Sequence, residues 1–377
     1  MATVIDARDD ERPQALATTS VPHVAFEHEE LVARRGERSG AHMAVAIHST
    51  ALGPALGGVR LWPYPTAEDG DRDALRLAKG MTLKAAAAGL DLGGGKGVIC
   101  APAGGLEGGA GRDAALLDFG DLVESLEGRY VTAEDVGIGP RDIEVLAERT
   151  RHVTGLPRDR GGSGDPSPMT AVGVEAAMRA CARERFGDPT LAGRRVVIVG
   201  MGHVGAHLAQ RLAASDCELV VSDVVATKRH AARRLGARWA EPAEAAAVEC
   251  DVLAPCALGG AIDKAVLGRL RCEIVCGSAN NQLADDALAG ELEARGILYA
   301  PDFIANAGGL MNVYREIRGY GAGRALELAL GIEATMARVL DAARANGSTP
   351  LAAARELAAE RLRSVQRAPA DATAVPN

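Results

Sequence analysis

Arg195-Val-Val-Ile-Val-Gly200-Met-Gly202-His-Val-Gly205 is the stretch that decides the fold. An apolar run enters Gly-x-Gly-x-x-Gly, and Leu208 and Leu212 follow at helical spacing. A second apolar run, Glu218-Leu-Val-Val-Ser-Asp223, ends in an acid 18 positions beyond Gly205. The glycine triplet alone is weak evidence, but strand, triplet, helix and acid together form a dinucleotide-binding fingerprint. In that reading the helix N-terminus, with Gly200, Gly202, His203, Val204 and Gly205 around it, faces a pyrophosphate. Asp223 then takes the adenosine ribose hydroxyls and repels a 2′-phosphate, so the expected cofactor is NAD rather than NADP. Lys228 and Arg229, just downstream, weaken that preference.

Further apolar runs at 252–255, 273–276 and 297–300 alternate with helical patterns. This order predicts a doubly wound parallel sheet with ligands at the carboxyl ends of its strands. Gly277-Ser-Ala-Asn280-Asn281-Gln282 and Asn306-Ala-Gly-Gly-Leu310-Met-Asn-Val313 lie at two such ends. Asn281 and Asn306 offer neutral amides for a nicotinamide or a substrate; loop amides that cap local backbone are an equal alternative. Gly161-Gly-Ser-Gly-Asp-Pro-Ser-Pro168 marks a domain boundary. The fold class expected is therefore α/β in two domains separated by a cleft. Residues 1–165 form a substrate domain, opening with a loose arm over 1–20, and residues 166–330 form the NAD-binding domain. Residues 331–377 supply helices that pack back on the first domain and a flexible tail.

Within the first domain the notable stretch is Lys84-Ala-Ala-Ala-Ala-Gly-Leu-Asp-Leu-Gly-Gly-Gly-Lys96. Leu77, Met81, Lys84 and Ala88 fall at helical spacing, which puts a lysine on an apolar stripe. A lysine turned inward must find a partner or lower its pKa. The three glycines before Lys96 free the backbone for left-handed conformations and for close approach of a ligand. Two such lysines near one another would depress each other's pKa, leaving one as a neutral base. A turn carrying two solvated lysines is the alternative.

Around this stretch, residues 41–50 have strand character, 51–60 are rich in turn-permitting residues, and Val98 and Ile99 suggest a short strand. A glycine-rich loop at 103–111 leads to a helix with Ala115, Phe119, Leu122 and Leu126 on its apolar stripe. Tyr130-Val-Thr-Ala-Glu-Asp135-Val reads as a strand carrying two acids. Because Asp is disfavoured in strands, Asp135 is a candidate proton carrier, a solvated edge charge being the alternative.

At 377 residues the chain exceeds one ordinary core, in keeping with two domains. Its 47% hydrophobic and 24% charged residues are globular values. A formal net charge of −8 argues against nucleic acid as a partner. Seven scattered cysteines, none in a Cys-x-x-Cys pair, suggest buried thiols in a reducing cytoplasm rather than a metal site. The acidic N-terminus does not resemble a signal peptide, and no apolar run reaches membrane-spanning length.

With these residues in place, the chain over about 40–365 resembles the glutamate/leucine/phenylalanine/valine dehydrogenase superfamily. The resemblance rests on Leu-Gly-Pro-Ala-Leu-Gly-Gly58, Gly-Gly-Gly-Lys96, Thr-Ala-Glu-Asp135-Val-Gly, Ala-Pro-Cys256-Ala-Leu-Gly-Gly, Gly-Ser-Ala-Asn-Asn281-Gln-Leu and Ala-Pro-Asp-Phe-Ile-Ala-Asn306-Ala-Gly-Gly. The text around Gly-Asp-Pro-Thr-Leu-Ala-Gly-Arg194 and Arg-Gly-Ile-Leu-Tyr-Ala-Pro301 looks most like actinobacterial valine dehydrogenases.

The resemblance implies reversible NAD-dependent deamination of an aliphatic L-amino acid to a 2-oxo acid and ammonia by a homo-oligomer. It assigns the substrate carboxylate to Lys84, the base that activates water to Lys96, and proton exchange with the amino group to Asp135. It places Gly57, Gly58 and Asn281 beside the substrate, and Thr170, Cys256, Ala257, Asn281 and Asn306 beside the cofactor. The side-chain pocket matches Leu56, Ala133, Leu310 and Val313. All are uncharged, where a glutamate enzyme would need a cation. Leu310 stands where the leucine enzymes commonly have valine, a difference of one methylene worth about 1–3 kcal/mol of discrimination toward valine or isoleucine. Gly137-Ile-Gly-Pro140 and Val59 depart from the usual pattern, where a hydroxyl residue often stands. The alternatives are a phenylalanine enzyme of the same family and a silent NAD-binding regulator; the latter predicts loss of Lys84, Lys96 or Asp135, and all three are present.

Overall fold

The computed structural model describes residues 27–102, 106, 109–319 and 321–366. The expected arm at 1–20, the tail beyond 366 and most of the glycine-rich loop at 103–111 lie outside the described residues. The chain divides into two compact units, Met1–Gly164 with Glu360–Asn377, and Asp165–Ala359.

The first unit holds a mixed sheet of β1 (Glu30–Arg35), β2 (His42–Ser49), β3 (Ala55–Trp62), β4 (Gly93–Cys100) and β5 (Tyr130–Ala133), in the order β1-β2-β4-β3-β5. β2 runs antiparallel to β1 and β4, and β3 runs parallel to β4 and β5. Alternation along β2 explains why both faces are covered. Met43, Val45 and Ile47 join a core with Phe119 and Leu122 of the helix Ala110–Glu124, while Ala44 and Ala46 join Ala74 and Ala78 of the helix Ala67–Ala87. The latter helix starts at a capping box, Thr66 with Asp69, which satisfies two backbone amides.

Three expectations are corrected here. The stretch 51–60 is not merely a turn, because Ala55–Trp62 is a central strand. Strand β4 begins at Gly93, so the three glycines and Lys96 lie within a strand, and none of those glycines has a positive φ. The helix Ala67–Ala87 buries Gly70, Ala74, Ala78, Thr82 and Ala85, whereas Leu77, Met81, Lys84 and Ala88 are half-buried on its flank. The inward stripe is thus made of smaller residues, which let the helix lie close to the sheet.

In the second unit β6 (Arg195–Val199), β7 (Glu218–Ser222), β8 (Arg238–Trp239), β9 (Cys250–Pro255), β10 (Cys272–Val275) and β11 (Leu298–Tyr299) form a sheet ordered β11-β10-β9-β6-β7-β8. All of its pairings are parallel. The order reverses between β6 and β9, the switch point at which such sheets take ligands. The helix Ile332–Asn346 packs on Ser167–Phe186, where Glu333 pairs with Arg179 at 3.1 Å and Arg183 at 2.7 Å. Residues 332–359 therefore belong to the second unit, and only the segment from Glu360 is part of the first. The expected change at 330/331 is displaced because Ile332 and Met336 are needed to complete the second core.

Candidate active site

Lys96 sits mid-strand in β4, opposite Ala46 of β2. Strand alternation sends its side chain to the same face as Gly94, the face covered by the helix that carries Lys84. Its Nζ lies 2.9 Å from Asp135 Oδ2, with the lysine side chain 5% exposed and the aspartate 22%. Asp135 lies just past the end of β5 rather than within it.

Glycines make this approach possible. A Cβ at Gly58 would meet Glu134 O at 2.2 Å and Asp135 Cβ at 2.9 Å, and one at Gly57 would meet Gly95 O at 1.8 Å. Met81, three residues before Lys84 and so on the same helix flank, has its Cγ 3.4 Å from that Gly57 position. Gly57, Gly58, Lys96 and Asp135 are thus neighbours in the first unit, with Met81 of the helix Ala67–Ala87 against Gly57. Leu56 and Ala133 are buried beside them on β3 and β5. Gly137, at φ +81°, turns the chain under Leu61 O, and Pro140 then begins the helix Pro140–Leu146, so the Gly-Pro turn leaves Asp135 in place.

The glycines before Lys96 serve packing rather than left-handed turns. A Cβ at Gly93 would sit 1.9 Å from Ser49 O, at Gly94 2.1 Å from Thr82 N, and at Gly95 2.6 Å from Tyr130 Cδ2.

Burial lowers the Lys96 pKa from its ordinary value, Asp135 opposes that, and the Arg60 guanidinium adds to it. Arg60 is thus a cation close enough to Lys96 to favour its neutral form. Burial alone would raise the Asp135 pKa, but the charges of Lys96 and Arg60 outweigh it and hold the carboxyl below its usual range. Sequence reasoning gave Arg60 no role. Its Nε donates to Asp135 Oδ2 at 2.8 Å and its Nη1 to Asp73 Oδ2 at 2.9 Å, while Tyr64 OH donates to the same Asp73 oxygen at 2.7 Å. The available signal was an arginine inside a strand between Val59 and Leu61, where a charge needs partners.

In the second unit, Gly200 has φ +109° and its backbone passes against Cys256 and Ala257. A Cβ at Gly205 would meet Gly200 O at 1.9 Å, so the helix His203–Ala213 must start close to β6. Its N-cap, Gly202, brings no side-chain acceptor, and space around it is open. The first amides are thereby left to a ligand, Val204 among them. The His203 imidazole is exposed, 3.9 Å from Asp165, so only the backbone of that residue fits the cradle role.

Asp223 Oδ2 accepts from Met201 N at 2.7 Å and Lys228 Nζ at 2.9 Å, and Oδ1 accepts from Val225 N at 2.8 Å. The carboxylate is thus fixed at the end of β7, and Lys228 offsets its charge. Asn306 Nδ2 donates to Ser278 O at 3.1 Å and Asn280 Oδ1 at 2.7 Å, while its own Oδ1 is buried with no hydrogen-bond partner. Asn306 caps the short helix Asp302–Ala305 rather than ending a strand, and its orphaned amide oxygen suits a carboxamide donor such as that of nicotinamide. Asn281, at φ +51°, accepts through its carbonyl from Gly260 N. Thr170 Oγ1 bonds Pro166 O and lies against Gly309, at the start of the helix Gly308–Ile317. The stretch carrying Leu310 and Val313 is helical, not a loop, and both side chains are buried on it. These residues fit NAD.

All seven cysteines are free; Cys181, Cys250, Cys272 and Cys276 are buried, whereas Cys100, Cys217 and Cys256 are only half-buried. Among the described residues no helix is long and apolar enough to cross a membrane.

Comparison with known proteins gives matches over both units. The family model described as Glu/Leu/Phe/Val dehydrogenase, dimerisation domain, matches residues 24–152, and that described as Glutamate/Leucine/Phenylalanine/Valine dehydrogenase matches residues 224–368. The NAD binding domain of D-isomer specific 2-hydroxyacid dehydrogenases matches residues 173–259. Leucine dehydrogenase of Thermoactinomyces intermedius is 42% identical over 91% of this chain and 93% of its own length. Valine dehydrogenase of Streptomyces virginiae is 42% identical over 92% of this chain and 98% of its own. The crystal structure of L-tryptophan dehydrogenase from Nostoc punctiforme superposes with a TM-score of 0.78 at 37% identity, covering 91% of this chain and 98% of that one.

Proposed function

The chain belongs to the Glu/Leu/Phe/Val dehydrogenase family, and from that premise we infer that it catalyses reversible, NAD-dependent oxidative deamination of a branched-chain L-amino acid. The observation that carries this reading is the buried Lys96 amine 2.9 Å from the Asp135 carboxylate. The pair has one member whose neutral form is favoured by burial and one that starts ionised and can accept a proton, the division of roles that acid–base chemistry needs.

Lys84 holds the substrate carboxylate, with Gly57 and Gly58 allowing close approach to β3. Asp135 takes a proton from the substrate ammonium and returns one to the departing amine. The chemistry that bound NAD would supply is acceptance of the hydride from Cα. Lys96 Nζ removes a proton from the water that adds to the imino carbon, and collapse of that adduct, with the hydroxyl proton passing to solvent and the C–N bond breaking, gives the 2-oxo acid and ammonia. Gly200, Gly202, Val204 and Gly205 hold the pyrophosphate, Asp223 the ribose, and Asn306, with Thr170, Asn281, Cys256 and Ala257, the nicotinamide side.

Leu56, Ala133, Leu310 and Val313, the residues the family resemblance assigns to the substrate side chain, are all apolar, which supports an aliphatic substrate and gives a second carboxylate no partner. An initial-rate panel of L-valine, L-leucine, L-isoleucine, L-phenylalanine, L-tryptophan and L-glutamate, each with NAD and with NADP, tests the reading. Turnover is expected on the three aliphatic substrates with NAD. Faster turnover of an aromatic substrate, or none with any aliphatic one, would overturn it.

Assembly as a homo-oligomer is part of the same reading, supported by the match to a dimerisation domain at 24–152. A cytoplasmic location accords with seven unpaired thiols.

A further inference from the structure

We propose that Arg60 is the positioning residue of the proton-transfer pair, fixing the Asp135 carboxylate so that one of its two oxygens is offered to the substrate amine. The inference rests on the deamination reading above. Arg60 Nε and Lys96 Nζ both approach Asp135 Oδ2, at 2.8 and 2.9 Å. No hydrogen bond is made to Oδ1 among the described residues. A carboxylate gripped twice through one oxygen has its rotation set and presents the other.

The guanidinium is itself anchored from behind. Its Nη1 reaches Asp73 Oδ2, which also accepts from Tyr64 OH, and Asp73 Oδ1 is held by Arg76 at 2.8 Å. The side chain thus bridges Asp135, two residues past β5, to Asp73 of the helix Ala67–Ala87, and two separate nitrogens are required to do it. A lysine has one.

Charge gives a second reason for an arginine. Lys96 must lose its proton to act as a base, and Asp135, 2.9 Å away, favours keeping it. An arginine does not deprotonate, so it remains a counter-ion to Asp135 in both protonation states of Lys96. The groups facing Asp135 are Lys96 from β4 and Arg60 from β3, with Asp73, Tyr64 and Arg76 behind Arg60.

The test is steady-state deamination by Arg60→Gln, Arg60→Lys and Asp73→Asn, with Asp135→Asn and Lys96→Ala as references. Loss of alignment in Arg60→Gln is expected to lower kcat about 100-fold, the scale of an ångström-sized misplacement, while KM for the amino acid moves by less than about threefold. The acid limb of its kcat/KM profile should rise by about one pH unit, because a cation beside Asp135 and Lys96 is gone. Arg60→Lys should restore the limb but only part of kcat, and Asp73→Asn should fall in the same direction by less. Wild-type kcat and pH limb in all three, with Asp135→Asn inactive, would overturn the role of Arg60 alone. Activity in Asp135→Asn and Lys96→Ala would overturn the underlying reading. Circular dichroism and urea denaturation of each variant report whether the protein is folded; if Arg60→Gln does not fold, Arg60→Lys and Asp73→Asn decide the matter by the same criteria.

Discussion

At the scale of single residues, the Lys96 amine is useful because it is buried at a cost. Desolvation disfavours its ammonium form and brings its pKa down from the ordinary lysine value, and Asp135 limits the fall. The direction of the pH dependence follows. Deamination needs the neutral amine, so log kcat/KM should climb with unit slope as pH rises and level off at the Lys96 pKa, below the ordinary value of 10.5. Amination runs the steps in reverse and needs the protonated amine, so its rate should fall over the same interval. Lys96→Ala should remove the limb and about 10²–10⁴ of the rate, while NADH affinity, measured by fluorescence, stays near wild type. A retained limb would mean that another group titrates. Lys96 and Asp135 were legible in the sequence because each breaks a local rule, a cation after three glycines and an acid at the end of an apolar strand. Arg60 broke the same kind of rule less visibly, since both of its acidic partners are distant in the sequence, at 73 and 135.

At the scale of elements, the nucleotide-binding half was readable because short apolar strands, a glycine turn and helical spacing recur in a fixed order. The glycines of β4 were recognised but not understood. Their need arises from neighbours brought by tertiary packing, Ser49 O, Thr82 N and the Tyr130 ring, none adjacent in sequence. Two alanine substitutions separate the readings. Gly94→Ala places a methyl 2.1 Å from the Thr82 backbone, which cannot yield as a flexible side chain would, and should destabilise the first unit by about 1–3 kcal/mol or more. Gly80→Ala, on the exposed face of the helix Ala67–Ala87 with nothing within 4 Å, should stabilise it by about 0.5–1 kcal/mol. Urea denaturation followed by circular dichroism measures both. Equal effects would show that the β4 glycines are not sterically required. The stripe of the same helix was misplaced for a related reason: large residues signal burial in a sequence, yet against a glycine-rich strand the closest fit is made by Gly70, Ala74 and Ala78.

At the scale of the molecule, the chain leaves the first unit at Gly164 and rejoins it at Glu360. The spacing of apolar residues gave no sign that only the end of the last helix, Pro350–Gln366, would belong to the first unit, because the returning contact is polar. Arg361 donates to Leu90 O at 2.8 Å, to Ala86 O at 3.3 Å and to Ala85 O at 3.4 Å, and pairs with Asp91 at 2.8 Å. These carbonyls belong to the last turn of the helix that carries Lys84 and to the residues that lead into β4. A helix end leaves such acceptors without intrahelical donors, and a guanidinium supplies several at once. Charge-assisted bonds of this kind contribute about 1.5–3 kcal/mol where buried, and the half-buried Arg361 should give less, about 1 kcal/mol. Arg361→Ala should therefore loosen residues 84–96 while the second unit keeps its protection, since that unit's sheet has no part in the contact. Amide hydrogen exchange read peptide by peptide checks this: faster exchange is expected over 84–100 and none over 195–260. Faster exchange over both would make Arg361 a determinant of global stability, and no change in either would mean that water caps this helix end as well as the arginine does.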